Sequence, residues 1–270
     1  MDRERISLKG ERETLLIPLL SKARESGRRE PIIVDPYAQE ILSRIDYDFS
    51  GLKTPRQSLV TLAMRAKRLD WYVRDYLERY DRPTVLHLGC GLDGRYFRVG
   101  CKRGVWYDLD FPDVIDIRRR FFEESDNYRM IGSSVTDLRW FDAVTEEGPA
   151  CIVAEGLLMY LTEGEVRHLL LSLQERFPGS EVAFDAYSTL TARSVRNHPS
   201  VRKTGARVQW GIDDANRIEG WGVNIHIMEE WCFTESRDIS DLDLWFRLLF
   251  RLMGSIKAAR KAHRLIRVHL

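Results

Sequence analysis

Several features are missing from this 270-residue chain, and each absence narrows what it can be. Its four cysteines, Cys90, Cys101, Cys151 and Cys232, make no CxxC pair and no cysteine–histidine cluster. A structural zinc site is therefore not expected, and the thiols read as the reduced cysteines of a cytoplasmic protein. A charge of one sign is missing too: 42 Lys and Arg nearly cancel 41 Asp and Glu. That leaves no overall field to draw in nucleic acid or an anionic membrane. Residues 1–10 carry Asp2, Arg3, Glu4, Arg5 and Lys9 without an apolar stretch, so no signal peptide is expected there. No run approaches the ~18–20 apolar residues of a membrane span. Neither an internal repeat nor a low-complexity segment is visible. What is there is 44% hydrophobic and 31% charged residues, enough to bury a core and stay hydrated. The length fits one α/β domain over residues 1–270.

Residues 1 to about 80 read as helical. Leu15, Leu16, Leu19 and Leu20 form one apolar stripe, and Pro36 opens a second helix through Ile41 and Leu42. Leu62, Leu69, Val73 and Leu77 recur at helical spacing within 59–80. With no strand of its own to cover, this block is expected to pack as a cap over the rest of the chain. The pattern changes after Asp81-Arg82-Pro83. Short apolar runs at 84–88, 105–109, 128–131, 151–154 and 182–184 predict five strands, the last stopped by Asp185. Helices are expected over 112–124 and 166–177, the second preceded by a Thr162/Glu165 capping box. This alternation argues for a parallel sheet with right-handed crossovers, its core over 81–188. Residues 189–222 read as a polar insertion after strand five, and apolar runs at 223–228 and 265–270 as strands that close the sheet within 223–270.

Open α/β sheets hold ligands beyond the carboxyl ends of their strands, so the residues there are the candidates. Strand one runs into Gly89-Cys90-Gly91-Leu92-Asp93-Gly94, formally GxGxxG. Its glycines would let the backbone approach a sugar or phosphate closely, although such triplets also occur in ordinary turns. Asp110, nineteen positions after Gly91, either accepts both hydroxyls of a ribose or caps the helix after Pro112. Turn and acid together point to an adenosine cofactor. A nicotinamide coenzyme suits the site less well, because about 80 residues precede strand one and Asp93 would repel a pyrophosphate. S-adenosyl-L-methionine has no phosphate. Asp93 and Glu155 suit its positive groups, and an arginine from the cap suits its carboxylate.

These residues resemble those of the leucine carboxyl methyltransferase family, in particular its bacterial branch of tetracenomycin-type polyketide O-methyltransferases. The likeness is carried by LGCGLDGR at 88–95, WYDLDFP at 106–112, SSVTD at 133–137 and AEGLLMYL at 154–161. DPYA at 35–38 and RAKRLD at 65–70 add to it, and it spans roughly residues 14–230. The resemblance implies a Rossmann-like class I methyltransferase sheet under an N-terminal helical cap, with S-adenosyl-L-methionine as methyl donor. It also implies roles. Arg65, with Lys22 as helper, would pair with the cofactor carboxylate, and Glu155 would face the amino-acid end. Gly89 and Gly91 would admit the methionine and ribose parts, and Asp110 would hold the ribose hydroxyls. The backbone of Val135, beside Ser134, would meet the adenine. Leu92, Phe111 and Gly156, inside the same motifs, would also border the cofactor, and Tyr160 would line the pocket near the methyl group. Two positions depart from the pattern: Gly94 stands where the family usually has threonine, and Ser134 where its eukaryotic branch has aspartate. Read without the resemblance, Arg65 is a solvated helix arginine, Glu155 a helix cap and Tyr160 a half-buried aromatic.

Methyl transfer from a sulfonium is an in-line displacement, so the enzyme must align the acceptor and exclude water. A carboxylate acceptor, with a pKa of about 4, needs no base. A phenol or alcohol does, and His198 and Asp185 are the candidates, although His198 beside Pro199 also reads as a loop residue. Arg193, Arg196, Arg202, Lys203 and Arg207 form either a basic lid over an acidic substrate or a solvated loop. Trp210 and Trp221 would line an aromatic pocket or anchor that loop. The basic and apolar segment after Leu244 is either an anionic-surface contact or an amphipathic helix on its own sheet. The reading favoured is an S-adenosyl-L-methionine-dependent O-methyltransferase acting on a carboxylate or hydroxyl of a small molecule, such as an aromatic polyketide-like acid. The alternatives are a nicotinamide-dependent oxidoreductase, a protein C-terminal carboxyl methyltransferase and a binding module that has lost transfer.

Overall fold

In the computed structural model, which describes residues 4–5, 10–49, 55–196 and 206–270, a seven-stranded sheet runs through the centre of the chain. Its strands are β1 (Thr84–Leu88), β2 (Val105–Asp110), β3 (Tyr128–Gly132), β4 (Ala150–Ala154), β5 (Glu181–Tyr187), β6 (His226–Cys232) and β7 (His263–His269). They lie in the order 3-2-1-4-5-7-6. Neighbours among the first five are parallel, and β7 is antiparallel to both β5 and β6. β1 and β4 are buried along their whole length, as strands covered on both faces must be. The chain order reverses between them, which opens a crevice at their carboxyl ends.

The cap consists of α1 (Leu16–Ser26), α2 (Pro36–Arg44) and α3 (Arg56–Arg79). Asp35 caps α2 through the Ala38 N–H at 2.9 Å, with Pro36 in the first turn where its missing N–H costs nothing. On α3, Arg65, Leu69, Tyr72 and Tyr76 share the buried face, so the helical period itself aims Arg65 inward. The block is not wholly helical: Glu4–Arg5 pairs in parallel with Ile45–Asp46.

Four other expectations need correction. α5 (Pro112–Arg118) stops six residues short of 124. The chain tightens into turns there, so that Phe122 stacks on Phe97 and Glu124 accepts the Met130 N–H at 2.7 Å. β5 does not stop at Asp185, because that carboxylate is buried against Arg65 and costs the strand nothing. The closing strands begin at His226 and His263 rather than at 223 and 265. In the basic C-terminal segment, Arg264 and Arg267 are buried on β7, paired with Glu230 and Glu181, and form no surface. α8 (Leu244–Ser255) packs through Phe250 chiefly on the turns that follow β6. Further helices are α4 (Arg95–Val99), α6 (Glu163–Arg176), which carries the expected capping box, and α7 (Thr189–Arg196), with one more helical turn at Lys257–Arg260. Trp210 is buried against Phe184 and Trp221, so both tryptophans anchor the segment after β5. Among the described residues no helix is long and apolar enough to cross a membrane.

Candidate active site

At the carboxyl ends of the central strands, under α1 and α3, lies a cavity of about 540 Å³. A second, of about 300 Å³, adjoins it and shares Gly89, Asp110, Phe111, Leu157 and Tyr160 as walls. Lys22, Arg65, Gly91, Leu92, Glu155 and Gly156 line the first. Ser134 and Val135 line the second, with Arg207 and Gln209 of the insertion. His198, Arg202 and Lys203 lie outside the described residues.

The turn after β1 is built by left-handed glycines, Gly89 at φ 64° and Gly91 at φ 51°. A Cβ on Gly89 would come within 3.0 Å of Leu157, and one on Gly91 within 3.2 Å of Leu15 from the cap. The glycines thus serve the protein's own packing as well as the cavity. At Gly94 an added Cβ would meet the Tyr37 side chain at 3.0 Å, so a threonine would force that ring to move. Asp110 is fixed by the turn: the Gly91 N–H donates to its Oδ2 and the Phe111 N–H to its Oδ1, both at 2.8 Å. Each oxygen keeps acceptor capacity for a ligand hydroxyl. Burial raises the Asp110 pKa, and the two backbone donors offset this only in part.

Beside the turn is a buried ion cluster. Lys22 Nζ meets Asp93 at 3.1 Å, and Arg65 meets Glu155 at 3.0 Å and Asp185 at 2.7 Å. Arg95 holds Asp70 at 2.8 Å and also contacts Glu155, and Arg98 joins Asp35, Asp70 and Asp93. Burial opposes every one of these charges, but the neighbours win: Asp93, Glu155 and Asp185 sit below the ordinary carboxylate range and Arg65 above its ordinary value. Arg65, with 3% of its side chain exposed, is not a solvated arginine, and Glu155 is an ion-pair partner rather than a helix cap. Lys22, Arg65, Arg95 and Arg98 face Asp35, Asp70, Asp93, Glu155 and Asp185, so the cluster carries one negative charge in excess. Of these, Lys22, Arg65, Asp93 and Glu155 line the cavity, so its floor presents charges of both signs to a ligand.

Two imidazoles border the cavity. His87 uses both nitrogens, Nδ1 toward Asp108 at 3.0 Å and Nε2 as acceptor from Arg95 at 3.1 Å. His263, which sequence reasoning missed, places Nε2 3.0 Å from Asp185 Oδ2. Asp185 also accepts from Arg65 and from the Gly156 N–H at 2.6 Å. It is therefore a fully engaged partner and not the free base that its sequence position suggests.

Residues 16–174 match the family model described as leucine carboxyl methyltransferase. The tetracenomycin polyketide synthesis O-methyltransferase TcmP of Streptomyces glaucescens is 38% identical over 265 residues, 98% of each chain. The chain belongs to the leucine carboxyl methyltransferase family. The S-adenosyl-L-methionine-dependent methyltransferase dpfgK of Gibberella zeae is 33% identical over 81% of each chain. In fold, a Thermobifida fusca protein described as a methyltransferase matches with a TM-score of 0.59 over 94% of each chain at 13% identity. The plantazolicin methyltransferase BamL matches at 0.50 over 96% of each at 12% identity. The present family member is thus a class I, S-adenosyl-L-methionine-dependent methyltransferase, and the nicotinamide alternative falls away.

Proposed function

We propose that this enzyme transfers a methyl group to an oxygen of a small-molecule metabolite inside the cavity at the strand ends. The observation that carries the reading is the cavity floor, where Lys22 and Arg65 face Asp93 and Glu155 and Asp110 stands at the turn, beside an apolar wall of Ile17, Pro18, Leu62, Met159, Val195 and Met253. S-adenosyl-L-methionine, with sulfonium, ammonium and carboxylate, offers both signs to that floor: its carboxylate suits Lys22 and Arg65, and its cationic groups suit Asp93 and Glu155. The apolar wall fits the carbon skeleton of an acceptor. In this reading Arg65 and Lys22 take the cofactor carboxylate, and Glu155 and Asp93 the ammonium. Gly89, Gly91, Leu92 and Gly156 border the methionine part, Asp110 and Phe111 the ribose, and Ser134 and Val135 the adenine. Tyr160, a wall of both cavities, stands near the methyl group. When bound, the cofactor supplies the electrophilic methyl carbon. The chain's own residues hold both partners in line and keep water out.

The name of TcmP places that relative in polyketide synthesis, which makes an aromatic polyketide-like molecule the substrate class to try first. Near-neutral charge and cavity shape favour this over nucleic acid, and the cysteine pattern favours a cytoplasmic setting. The test uses methyl-deuterated S-adenosyl-L-methionine with a panel of phenols and aromatic acids, read by mass spectrometry. A thermal-shift titration with S-adenosylhomocysteine runs alongside. Labelled product and a raised melting temperature are expected. Absence of both would defeat the proposal.

A further inference from the structure

We infer that the outer face of α8 is a docking surface for a lipid bilayer with anionic headgroups. This face takes no part in the methyl transfer proposed above. α8 is apolar on two sides. On the inner side Phe246 and Phe250 pack into the core, and Met253 is a wall of the main cavity. On the outer side Leu244, Leu248, Leu252 and Ile256 recur at every fourth residue with Trp245 beside them, and each is 50–72% exposed. An apolar stripe at this spacing ordinarily faces a core. Here it faces none: of the ten exposed large apolar side chains among the described residues, five lie between Leu244 and Ile256. They form a patch on the order of 500 Å², at the upper end of what soluble monomers expose.

Charge decides what covers this face. By the helical period, Arg247 and Arg251 run along one flank of the stripe. Among the described residues, neither arginine has a carboxylate partner. From Leu244 to the last residue the chain has no Asp or Glu. Asp243, just before the helix, is held by Arg56, and Glu235, on the turn that α8 packs against, by Arg260. The face thus joins an apolar stripe to unpaired cations, the pattern of a helix that lies in the headgroup layer with its arginines reaching lipid phosphates. Trp245 suits the boundary between headgroups and acyl chains, where one edge of its ring stays wet. The chain as a whole is nearly neutral, so the attraction is local and acts within a Debye length of the surface.

A second copy of the chain fits this face less well. The patch falls short of the ~800 Å² per partner that a standard interface buries. α8 also carries no acid to meet the arginines of a copy. No segment outside the described residues has more than two large apolar side chains, so none matches the stripe. Because Met253 is a cavity wall, α8 stands between the docked lipid and the cavity.

The test floats the full chain with vesicles of phosphatidylcholine alone and of phosphatidylcholine mixed equally with phosphatidylglycerol. The parent should float with the mixed vesicles, less so as salt is raised, and stay behind with the neutral ones. Leu248→Ser combined with Leu252→Ser should weaken binding to mixed vesicles by at least about 10-fold. Arg251→Glu should remove most of the preference for the anionic lipid. All these side chains are exposed, so both variants should keep the melting temperature of the parent. A measurement on the folded parent stands beside them: lipids with brominated chains should quench its tryptophan fluorescence, and Trp245→Phe should lose that quenching. A parent that ignores mixed vesicles, or floats equally with neutral ones, would overturn the inference. So would parent-like binding by the leucine variant, or quenching that survives Trp245→Phe. A parent dimer in sedimentation that the leucine variant breaks, without lipid binding, would assign the face to a second copy instead.

Discussion

Replacing Asp110 by asparagine probes the sugar end of the proposed cofactor site, and the structure sets the size of the effect. Both carboxylate oxygens accept a backbone N–H, one from Gly91 and one from Phe111. An amide has one oxygen, so its NH2 group must face one of those donors and lose that bond. The same exchange removes one acceptor from the ribose hydroxyls. A hydrogen bond to a charged group is worth about 1.5–3 kcal/mol, which predicts S-adenosylhomocysteine binding about 10- to 100-fold weaker. The lost backbone bond appears separately, as reduced stability. The parent should also show a pH dependence. Only the ionised carboxylate accepts from both hydroxyls, so affinity is present above the pKa of Asp110 and falls as pH drops through it. Because burial raises that pKa, the fall should begin at a higher pH than for an ordinary aspartate near about 3.9. In Asp110→Asn this limb should be flat. Titration calorimetry between pH 7.5 and 5 measures both. A variant affinity within threefold of the parent throughout would refute the role given to this residue.

Arg65→Met leaves Glu155 and Asp185 buried without their shared cation and should cost about 3–5 kcal/mol in urea unfolding. A loss under about 1 kcal/mol, the range of surface ion pairs, would show that the cluster tolerates water. Gly104→Ala, far from the cavity, sits at φ 86°, with the new Cβ only 1.9 Å from the Pro83 carbonyl oxygen. It should lose at least about 2 kcal/mol of stability, and an unchanged melting temperature would contradict the turn geometry. Asp108→Asn should destabilise more at pH 7 than at pH 3. Burial alone would raise the Asp108 pKa, but Arg118 and His87 hold it at about 2, below its unfolded value. Its contribution, of order 2–3 kcal/mol, is therefore present above the unfolded pKa and lost as pH falls toward the folded one. Equal losses at the two pH values would break that linkage.

The strands that sequence reasoning located are those whose burial writes itself as an apolar run. β1 reads TVLHL and β4 reads ACIVA, and both are buried at every position. β6 reads HIMEEWC and is half-exposed, with Glu229 and Glu230 held by Arg68 and Arg264. Its charges hid the second half of the strand expected at 223–228, because they are neutralised by residues distant in the chain. The same holds for the end of β5. Asp185 looks like a terminator beside Val182, Ala183 and Phe184, and Arg65, 120 positions earlier, with the Gly156 N–H and His263, makes it an interior residue.

The site divides along the same line. Gly89, Gly91 and Asp110 were legible because turn and acid act through neighbouring backbone, and the Gly91–Asp110 hydrogen bond joins two adjacent strand ends. The ion cluster was legible only in part: Lys22, Arg65, Asp93, Glu155 and Asp185 stood out, but Arg95 and Arg98 look like any surface arginines until α4 is set against Asp70 of the cap. His263 was the least visible, one histidine in the basic run HRLIRVH. Residue type alone gives it no distinction. What singles it out is register: antiparallel pairing sets His263 opposite Tyr187, and Tyr187 shares a sheet face with Asp185 two residues before it. Given the order 5-7-6 at that edge, the imidazole can reach the carboxylate diagonally across the pair, and given any other neighbour for β7 it cannot. The missing signal was therefore strand adjacency, which depends on the fold of the whole sheet and not on any local pattern.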